Sequence, residues 1–253
     1  YIAGGGQFPK NNKYNSYLKC VLLNSKIVSV RDNRTYRSML DHDIKADLIP
    51  DSAILMSKLF SPEFLETKTD GKFHINRGSY VYLQVGKNKG PINLQSFVNQ
   101  LEKVSTEFGL KVICSPIGFA PGHEDDKILK KLVSLSKDWE LVYPNNIYDI
   151  MYLISNSKMY IGTSLHGAIT AFAYQVPIMP LNKKILKLNS FVNTWTKEVY
   201  ISNIDFEMVY ESFFKVFDKW DEKVAENLLK NQQEIVEAYF EKINKISRYH
   251  LYR

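Results

Sequence analysis

The sequence predicts an α/β protein built on a doubly wound parallel sheet. Apolar runs alternate with segments of helical period over most of the chain, from YVYLQV at residues 80–85 to VPIMPL at 176–181. The runs are apolar almost throughout, as is typical of strands that helices cover on both faces. Strands separated by helices at this spacing form right-handed βαβ units.

A smaller set of the same elements precedes this region. We place a glycine turn at 4–6, a helix at 16–24, a strand at 26–30, a helix at 35–40 and a strand at 46–50. The strand KIVSV ends directly before Arg31 and Asp32. Both side chains therefore lie at the carboxyl edge of a parallel sheet, where ligands bind.

The segment from residue 60 to 78 has Gly, Pro, Asp and Asn but no clear period, and it predicts a linker. We expect the elements after it to be strand 80–85, helix 92–109, strand 110–117, helix 125–136, strand 139–144, helix 147–157, strand 158–163, helix 165–175, strand 176–181, a short strand KEVYI at 197–201 and two helices over 205–246.

The predicted domain organisation follows from these elements. A partial N-terminal domain covers residues 1–60, the linker covers 61–78 and a second domain covers 79–204. Residues 205–253 form helices that pack on the domains. The sequence begins with YIAGGG, without Met or a leader, and we expect the first part of the chain to be missing.

Composition limits the class of partner. No apolar stretch approaches the roughly 18–20 residues of a membrane-spanning helix. The net charge of +6 favours an anionic partner, but the lysines are scattered and form no nucleic-acid track. A phosphorylated small molecule fits, and so does the cytoplasmic face of an anionic membrane. Cys20 and Cys114 are expected to be free thiols in a reducing compartment, here the cytoplasm.

The stretch IGTSLHG at 161–167 joins a buried strand to a helix and is the strongest site signal. Thr163 or Ser164 is placed to cap the helix, which leaves backbone N–H groups free for an anion. His166 follows in the first turn, where an imidazole donates to phosphate or carries a proton. Gly167 lets a ligand or a neighbouring backbone approach. The alternative is a buried histidine bonded to a carbonyl.

Three further positions are candidates. Arg31 can present a planar fork to a carboxylate or phosphate, or form a surface ion pair. His123 precedes acidic residues at a helix start, where a carboxylate can hold it as an acid or base. Lys183 follows a strand and either contacts phosphate or is solvated. No metal-ligand cluster, P-loop or nucleophile elbow is present, and the three glycines at 4–6 are a weak signal alone.

Taken together, four turns resemble the polysaccharide pyruvyl transferase family. The resemblance rests on GGG near the start, SVRD followed by IPDSAILM, PIG and GHEDD, and TSLHGAITAFAYQVP. It implies a GT-B-like architecture, in which two Rossmann-like domains face a cleft. It also implies transfer of a pyruvyl group from phosphoenolpyruvate to a sugar as a cyclic ketal, with no cofactor and no metal.

The resemblance carries over to individual residues. His166 corresponds to the family's histidine after Leu, Arg31 to its strand-end arginine, and His123 to a loop histidine followed by acids; these are the candidate catalytic residues. The candidate substrate-binding residues are Gly4, Gly5, Gly6, Thr163, Ser164, Leu165, Gly167 and Lys183. We expect Arg31 and His166 to face one another across a shared gap.

Two departures from the family pattern matter. Many members have Arg two residues before the histidine, where this chain has Ser164. The interval 7–25 is too short for a strand and turn that the family usually has, so we expect the first domain to be incomplete.

The partners implied are phosphoenolpyruvate and a sugar or lipid-linked oligosaccharide acceptor, with peripheral contact at the inner membrane face and no nucleic acid. Two alternatives remain open: a GT-B glycosyltransferase that uses a nucleotide sugar, and a non-catalytic sugar- or nucleotide-binding module of the same fold.

Overall fold

Two parallel sheets organise the chain in a computed structural model of the protein. The structure describes residues 4–6, 8, 12–69, 71–118, 124–181 and 183–251. Within those ranges, the smaller sheet pairs β1 (Ser29–Val30) with β2 (Asp47–Leu48), and Gly4 bridges to Val30 in parallel. Helices α1 (Asn12–Leu23) and α2 (Asn33–Leu40) accompany it. A small apolar core of Leu22, Val28, Val30, Met39 and Ile44 lies between them.

The larger sheet has five parallel strands in the order β5-β4-β3-β6-β7. Its strands are β3 (Tyr80–Gln84), β4 (Lys111–Cys114), β5 (Glu140–Leu141), β6 (Met159–Gly162) and β7 (Ile178–Pro180). The intervening helices are α5 (Leu94–Phe108), α6 (Asp125–Leu135), α7 (Ile147–Ser155) and α8 (Leu165–Ala173). The strand order reverses beside β3, and this is where an open parallel sheet forms its crevice.

Alternation along the strands fills two cores, one on each face. Tyr80, Tyr82 and Tyr160 point to the face that α7 and α8 cover, and Val81 and Leu83 point to the opposite face. Because successive side chains of a strand alternate in direction, a strand between two helical layers must be apolar at every position. The expectation of a doubly wound sheet is confirmed.

Local signals in the sequence fix several helix ends. Asn93 caps α5 by accepting from the Ser96 backbone N–H at 2.9 Å, and Asn146 caps α7 in the same way. Gly109 ends α5 with φ 61°, in the left-handed region that glycine favours. Predicted boundaries at these caps are confirmed to within a few residues.

The segment expected to form an irregular linker contains a helix. A 3₁₀ helix (Ser52–Leu55) leads into α3 (Met56–Leu59) and then α4 (Pro62–Thr69), which packs on α7 with Leu65 fully buried. Proline at the first helical position followed by Glu63 is a helix-start signal that the apparent lack of period concealed. The domain boundaries themselves stay predictions.

The predicted strand KEVYI is wrong. After α9 (Leu186–Phe191) the chain makes a π-helical turn (Val192–Thr196) and continues irregularly through residues 197–201. The Tyr200 backbone N–H bonds to the Thr196 carbonyl, and its buried ring packs on Phe172 and Trp220. Packing of the apolar residues against helices therefore replaced strand pairing.

Two helices complete the chain and reach back to its first half. These are α10 (Val209–Lys219) and α11 (Glu222–Leu251). On α11, the Gln233 side-chain amide donates to the Ile54 carbonyl at 3.0 Å, and Gln232 donates to the Trp195 carbonyl at 2.9 Å. Among the described residues, no helix is both long enough and apolar enough to cross a membrane.

We predict that Gly167→Ala lowers the free energy of unfolding by roughly 1–3 kcal/mol. A Cβ at this position would overlap the hydroxyl of Tyr160, whose buried ring has no free space to enter. Chemical denaturation followed by circular dichroism measures the effect. Gly86→Ala is the matched control, since its nearest contacts are an ordinary 3.4 Å. Equal stability of the two variants would contradict this packing.

Candidate functional site

One carboxylate connects the two halves of the chain. The Nη1 atom of Arg31 donates to Oδ2 of Asp51 at 2.7 Å, and Nε2 of His166 lies 3.9 Å from the same oxygen. Arg31 follows a strand of the smaller sheet, whereas His166 begins a helix of the larger one. The structure therefore brings these two predicted residues together, on an aspartate that the sequence analysis did not select.

Two hydrogen bonds hold the main chain of Arg31, and a nearby glycine leaves room for its side chain. Its N–H donates to the Gly4 carbonyl at 3.0 Å, and its carbonyl accepts from the indole N–H of Trp195 at 2.7 Å. A Cβ on Gly5 would lie only 2.7 Å from the Arg31 Nε, so glycine is needed to leave room for the guanidinium. The Gly6 N–H donates to the Thr35 hydroxyl at 3.0 Å. Gly4 and Gly5 thus position Arg31, and Gly6 bonds to Thr35 on the neighbouring helix α2.

The Asp51 carboxylate is held in place by the 3₁₀ helix that it caps. It caps the 3₁₀ helix by accepting from the Ala53 backbone N–H at 3.1 Å, and that helix packs on α8. One carboxylate oxygen is therefore held by the backbone and the other by Arg31. The Asp51 side chain is 16% exposed, whereas that of His166 is 62% exposed. The imidazole is exposed to solvent, and a small rotation of its side chain would bring it within hydrogen-bond distance of Asp51.

The amino terminus of α8 lies directly before His166. Ser164 caps the helix, with its hydroxyl accepting from the Gly167 N–H at 3.3 Å. The remaining first-turn N–H groups have no carbonyl partner within the helix, and the helix dipole adds partial positive charge. His166 belongs to this same first turn, so its imidazole lies close to those N–H groups.

The other residues of the TSLHG stretch have structural surroundings. Thr163 and Leu165 are buried, and the Thr163 backbone N–H already donates to Gln84. Gly167 faces the Tyr160 ring rather than an open space. The sequence analysis gave Gly167 a ligand or a backbone as its neighbour, and the structure shows a side chain there instead.

A buried polar network forms the floor of the site. The Gln84 side-chain amide donates to Asp125 at 2.7 Å, and its oxygen accepts from the Thr163 N–H at 3.1 Å. The Thr163 hydroxyl accepts from the Gly86 N–H at 2.9 Å. Asp125 also accepts from the Gly118 N–H at 3.0 Å. This network joins the ends of β3 and β6 to the loop after β4, and Gln84 ending an apolar strand was its signal in the sequence.

Two predicted residues are not placed at this centre. His123 lies outside the described residues. The Lys183 ammonium bonds to Asp205 at 2.7 Å, and this carboxylate raises the pKa of Lys183. An anion would have to compete with Asp205 for that lysine.

A further lysine adds to the positive charge around Arg31. The pKa of Lys187, on α9, is lowered by burial and then by the positive charges of Lys89 and Arg31. Like charges this close repel one another until an anion binds. The sequence analysis missed Lys187, because its approach to Arg31 depends on how α9 packs between the sheets.

A polar cleft lies beside these cations, between α2 and α9. It encloses about 570 Å³. Amides, hydroxyls and two arginines dominate its walls, which are formed by Asn33, Arg34, Arg37, Ser38, Asp41, Leu186, Asn189, Ser190, Asn193 and Thr194. Such groups suit the hydroxyls of a sugar.

Solved structures place this fold in a known class. UDP-GlcNAc 2-epimerase from Neisseria meningitidis, bound to UDP-GlcNAc, is 14% identical at a TM-score of 0.61, covering 95% of this chain and 68% of its own. A glycosyltransferase from Rickettsia africae is 15% identical at 0.62, covering 96% and 68%. UDP-GlcNAc 2-epimerase from Methanocaldococcus jannaschii is 12% identical at 0.61, covering 90% and 68%. The chain has the GT-B-like fold of these enzymes.

The sequence itself gives the family. The profile of the family described as polysaccharide pyruvyl transferase matches residues 3–182, more than half of the chain. The protein belongs to the polysaccharide pyruvyl transferase family, a family of transferases, and the resemblance drawn from its motifs is confirmed. Arg31, Asp51 and His166 all lie within the matched region. Comparison with curated protein sequences gives no match.

We predict that the affinity for inorganic phosphate falls as pH rises, and that the fall begins at a lower pH than an ordinary lysine would give. Phosphate binds best while Lys187 is protonated, and the lowered pKa means that this proton is lost at a lower pH than usual. Lys187→Arg keeps its charge and should remove the decline. Calorimetric titration at several pH values measures it. Lys131→Arg, on the exposed face of α6, should keep the wild-type profile; a wild-type profile in Lys187→Arg would refute the assignment.

Proposed function

We propose that the protein transfers a pyruvyl group from phosphoenolpyruvate to two hydroxyls of a sugar in a cell-surface polysaccharide, forming a cyclic ketal and releasing phosphate. The observation that carries this proposal is the meeting of Arg31 and His166 at Asp51, beside the amino terminus of α8. A proton carrier, a fixed guanidinium and an open helix start are the groups that an enol phosphate requires.

Donor binding uses the positive groups. The phosphate of the donor lies on the first-turn N–H groups of α8 and on Lys187, and Arg31 receives the donor's carboxylate. Asp51 limits how tightly Arg31 holds this carboxylate, because the two anions compete for one guanidinium. It also keeps the guanidinium in a single orientation before the donor arrives.

The reaction then proceeds as an addition followed by a substitution. His166 delivers a proton to the methylene carbon, and positive charge develops at the neighbouring carbon that carries the phosphate. One sugar hydroxyl attacks that carbon, forming a C–O bond and losing its proton. The second hydroxyl attacks the same carbon, and the C–O bond to phosphate breaks. Each hydroxyl gives up one proton: one replaces the proton that His166 gave to the methylene carbon, and the other leaves with the phosphate. His123 is the proposed base for a sugar hydroxyl.

The acceptor sugar occupies the polar cleft between α2 and α9. Its amides and hydroxyls can pair with the sugar, and Leu186 places the cleft next to Lys187 and therefore next to the donor. Localisation in the cytoplasm, at or near the inner membrane face, belongs to the same proposal.

A nucleotide-sugar reaction is the second candidate, since the solved structure from Neisseria meningitidis is described as bound to UDP-GlcNAc. Separate incubations with phosphoenolpyruvate and with UDP-sugars, each with an acceptor panel, distinguish the two. Phosphate release that requires both phosphoenolpyruvate and acceptor, with the pyruvyl ketal found by mass spectrometry, supports the proposal. Turnover of UDP-sugars alone would overturn it.

We predict that His166→Ala lowers kcat for phosphate release by roughly 100-fold to 10,000-fold, the range of general acid catalysis. The KM for phosphoenolpyruvate should change far less, because Arg31 and the helix start remain. Steady-state kinetics of phosphate release measures both. His74→Ala is the matched control: its exposed imidazole precedes β3, at the opposite end of the sheet. A small effect of His166→Ala on kcat would remove this residue from the chemistry.

We predict that Asp51→Asn lowers kcat roughly 10-fold, within the coupling energies of about 0.5–3 kcal/mol seen for residues that act together. If Asp51 works by positioning His166, the same change should have little further effect in a His166→Ala background. The double-mutant cycle, measured by phosphate release, tests this. Fully additive losses would show that Asp51 acts independently of the imidazole.

A further inference from the structure

Arginines are concentrated in one short segment beside the proposed donor site. Three of the chain's six arginines are Arg31, Arg34 and Arg37. Arg31 pairs with Asp51, whereas Arg34 and Arg37 stand three residues apart on α2 and therefore on one face of that helix. Both line the polar cleft between α2 and α9. The cleft thus holds two guanidinium groups in addition to the one that the proposed mechanism uses.

Neither of these two side chains is paired within the protein. Across the described ranges of the chain, the guanidinium groups of Arg34 and Arg37 make no hydrogen bond, ion pair or ring contact. Arg34 is nevertheless half-buried. A guanidinium presents several N–H donors in a planar fork that matches the two oxygens of a carboxylate. A half-buried fork with no acceptor is therefore free to hold an anionic ligand.

The lining of the cleft keeps an excess of positive charge. Asp41 is the acid among its described lining residues, and it forms no ion pair with either arginine in the part of the chain that the structure describes. Its single negative charge stands against the positive charges of Arg34 and Arg37. The field inside the cleft therefore favours an anion.

Amides dominate the side of the cleft that α9 and the π-helical turn form. The side-chain amide of Asn193 donates to the Asn189 side-chain oxygen, and that of Asn189 donates to Asn203 at 2.7 Å. An amide N–H₂ group can donate twice, so Asn189 and Asn193 each keep a donor for a ligand. Amides that are already ordered in this way suit the hydroxyls of a sugar, because little side-chain freedom is lost on binding.

A hydrogen bond ties the two sides of the cleft together. The Asn33 backbone N–H, in the first turn of α2, donates to the hydroxyl of Thr194 at 3.1 Å. Thr194 belongs to the π-helical turn, and its hydroxyl donates in turn to the Ser190 carbonyl at 2.6 Å. The helix that carries the arginines is therefore attached to the segment that carries the amides before any ligand arrives.

The ligand that matches both sides is a sugar with a negative charge. We propose that the acceptor glycan contains an acidic sugar, whose carboxylate lies on Arg34 and Arg37 and whose hydroxyls bond to Asn189 and Asn193. This inference rests on the proposed function and names the class of its acceptor, an anionic glycan. A neutral sugar would leave both guanidinium groups without an acceptor. A phosphate ester on a sugar presents similar oxygens, and the experiment separates the two.

Equilibrium binding without phosphoenolpyruvate tests the proposal. Methyl glucuronide, methyl glucoside and glucose 6-phosphate are each titrated against the protein and followed by saturation-transfer NMR. Methyl glucuronide should bind at least about tenfold more tightly than methyl glucoside, because hydrogen bonds to a charged acceptor are stronger than those to a neutral one. Equal binding of these two would overturn the proposal. Tighter binding of glucose 6-phosphate than of the glucuronide would overturn the carboxylate and assign the site to a phosphorylated sugar.

Substitutions on α2 locate the binding site. Arg34→Gln and Arg37→Gln should each weaken methyl glucuronide about tenfold and leave methyl glucoside unchanged, since glutamine keeps a polar group but removes the charge. Arg34→Lys should recover only part of the affinity, because an ammonium lacks the planar fork. Circular dichroism checks the fold. Arg77→Gln, at an exposed position before β3, is the charge-matched control and should bind like the wild type.

Inorganic phosphate separates this site from the donor site. Its affinity should change far less than that of methyl glucuronide in Arg34→Gln and Arg37→Gln, because the proposed donor contacts are Arg31, Lys187 and the start of α8. Equal losses for both ligands would show that the glucuronide binds among the donor contacts, and would overturn the separate acidic-sugar site.

The outcomes also distinguish this inference from the proposed function. Methyl glucuronide binding that stays unchanged in both glutamine variants overturns the acidic-sugar site even if phosphoenolpyruvate is turned over. Glucuronide binding that both variants weaken, while Arg77→Gln does not, supports the site even if phosphoenolpyruvate proves not to be the donor, because the assay contains none.

Discussion

The Asp51 carboxylate is the constraint on which the site depends. It receives a hydrogen bond from the guanidinium of Arg31, caps its own 3₁₀ helix and lies close to the imidazole of His166. An ion pair that is partly open to solvent contributes little to the stability of a protein, in the range of about 0–1 kcal/mol. Its importance here is geometric, since it sets the orientation of groups from two separate sheets.

The residues beneath the site form a buried hydrogen-bond network. Gln84, Thr163 and Asp125 satisfy one another's polar atoms beneath the site, and burial raises the pKa of Tyr160, which keeps its hydroxyl a neutral donor to Gln84. Fully paired buried networks are rigid, because breaking any bond leaves a polar atom unpaired in a low-dielectric interior. The exposed imidazole of His166 thus lies next to a rigid, fully hydrogen-bonded network.

The positive charges around the site are not all neutralised by neighbouring carboxylates. Burial first, and then the positive charges of Lys89 and Arg31, lower the pKa of Lys187. An arrangement that is unfavourable in the free protein becomes favourable when an anion arrives, so the repulsion adds to the preference for an anionic ligand.

Short-range features of the sequence determined most of the fold. The apolar strands, the caps at Asn93 and Ser164 and the glycine end of α5 depend on residues within a few positions of one another. The rule that ligands lie beyond strand ends also selected Arg31 and His166 before their distance was known. The helix at Pro62–Thr69 was missed because its period is weak, although its start signal was present.

Only the tertiary structure decided how these parts meet. It placed Asp51 between Arg31 and His166, brought Lys187 within the electrostatic influence of Arg31, and packed the KEVYI segment against helices instead of pairing it as a strand. Each of these depends on contacts between segments far apart in the chain, and no local period or cap encodes such a distance. Alternation and capping specify each element and the edge it presents, whereas burial against other elements fixes which side chains share an opening.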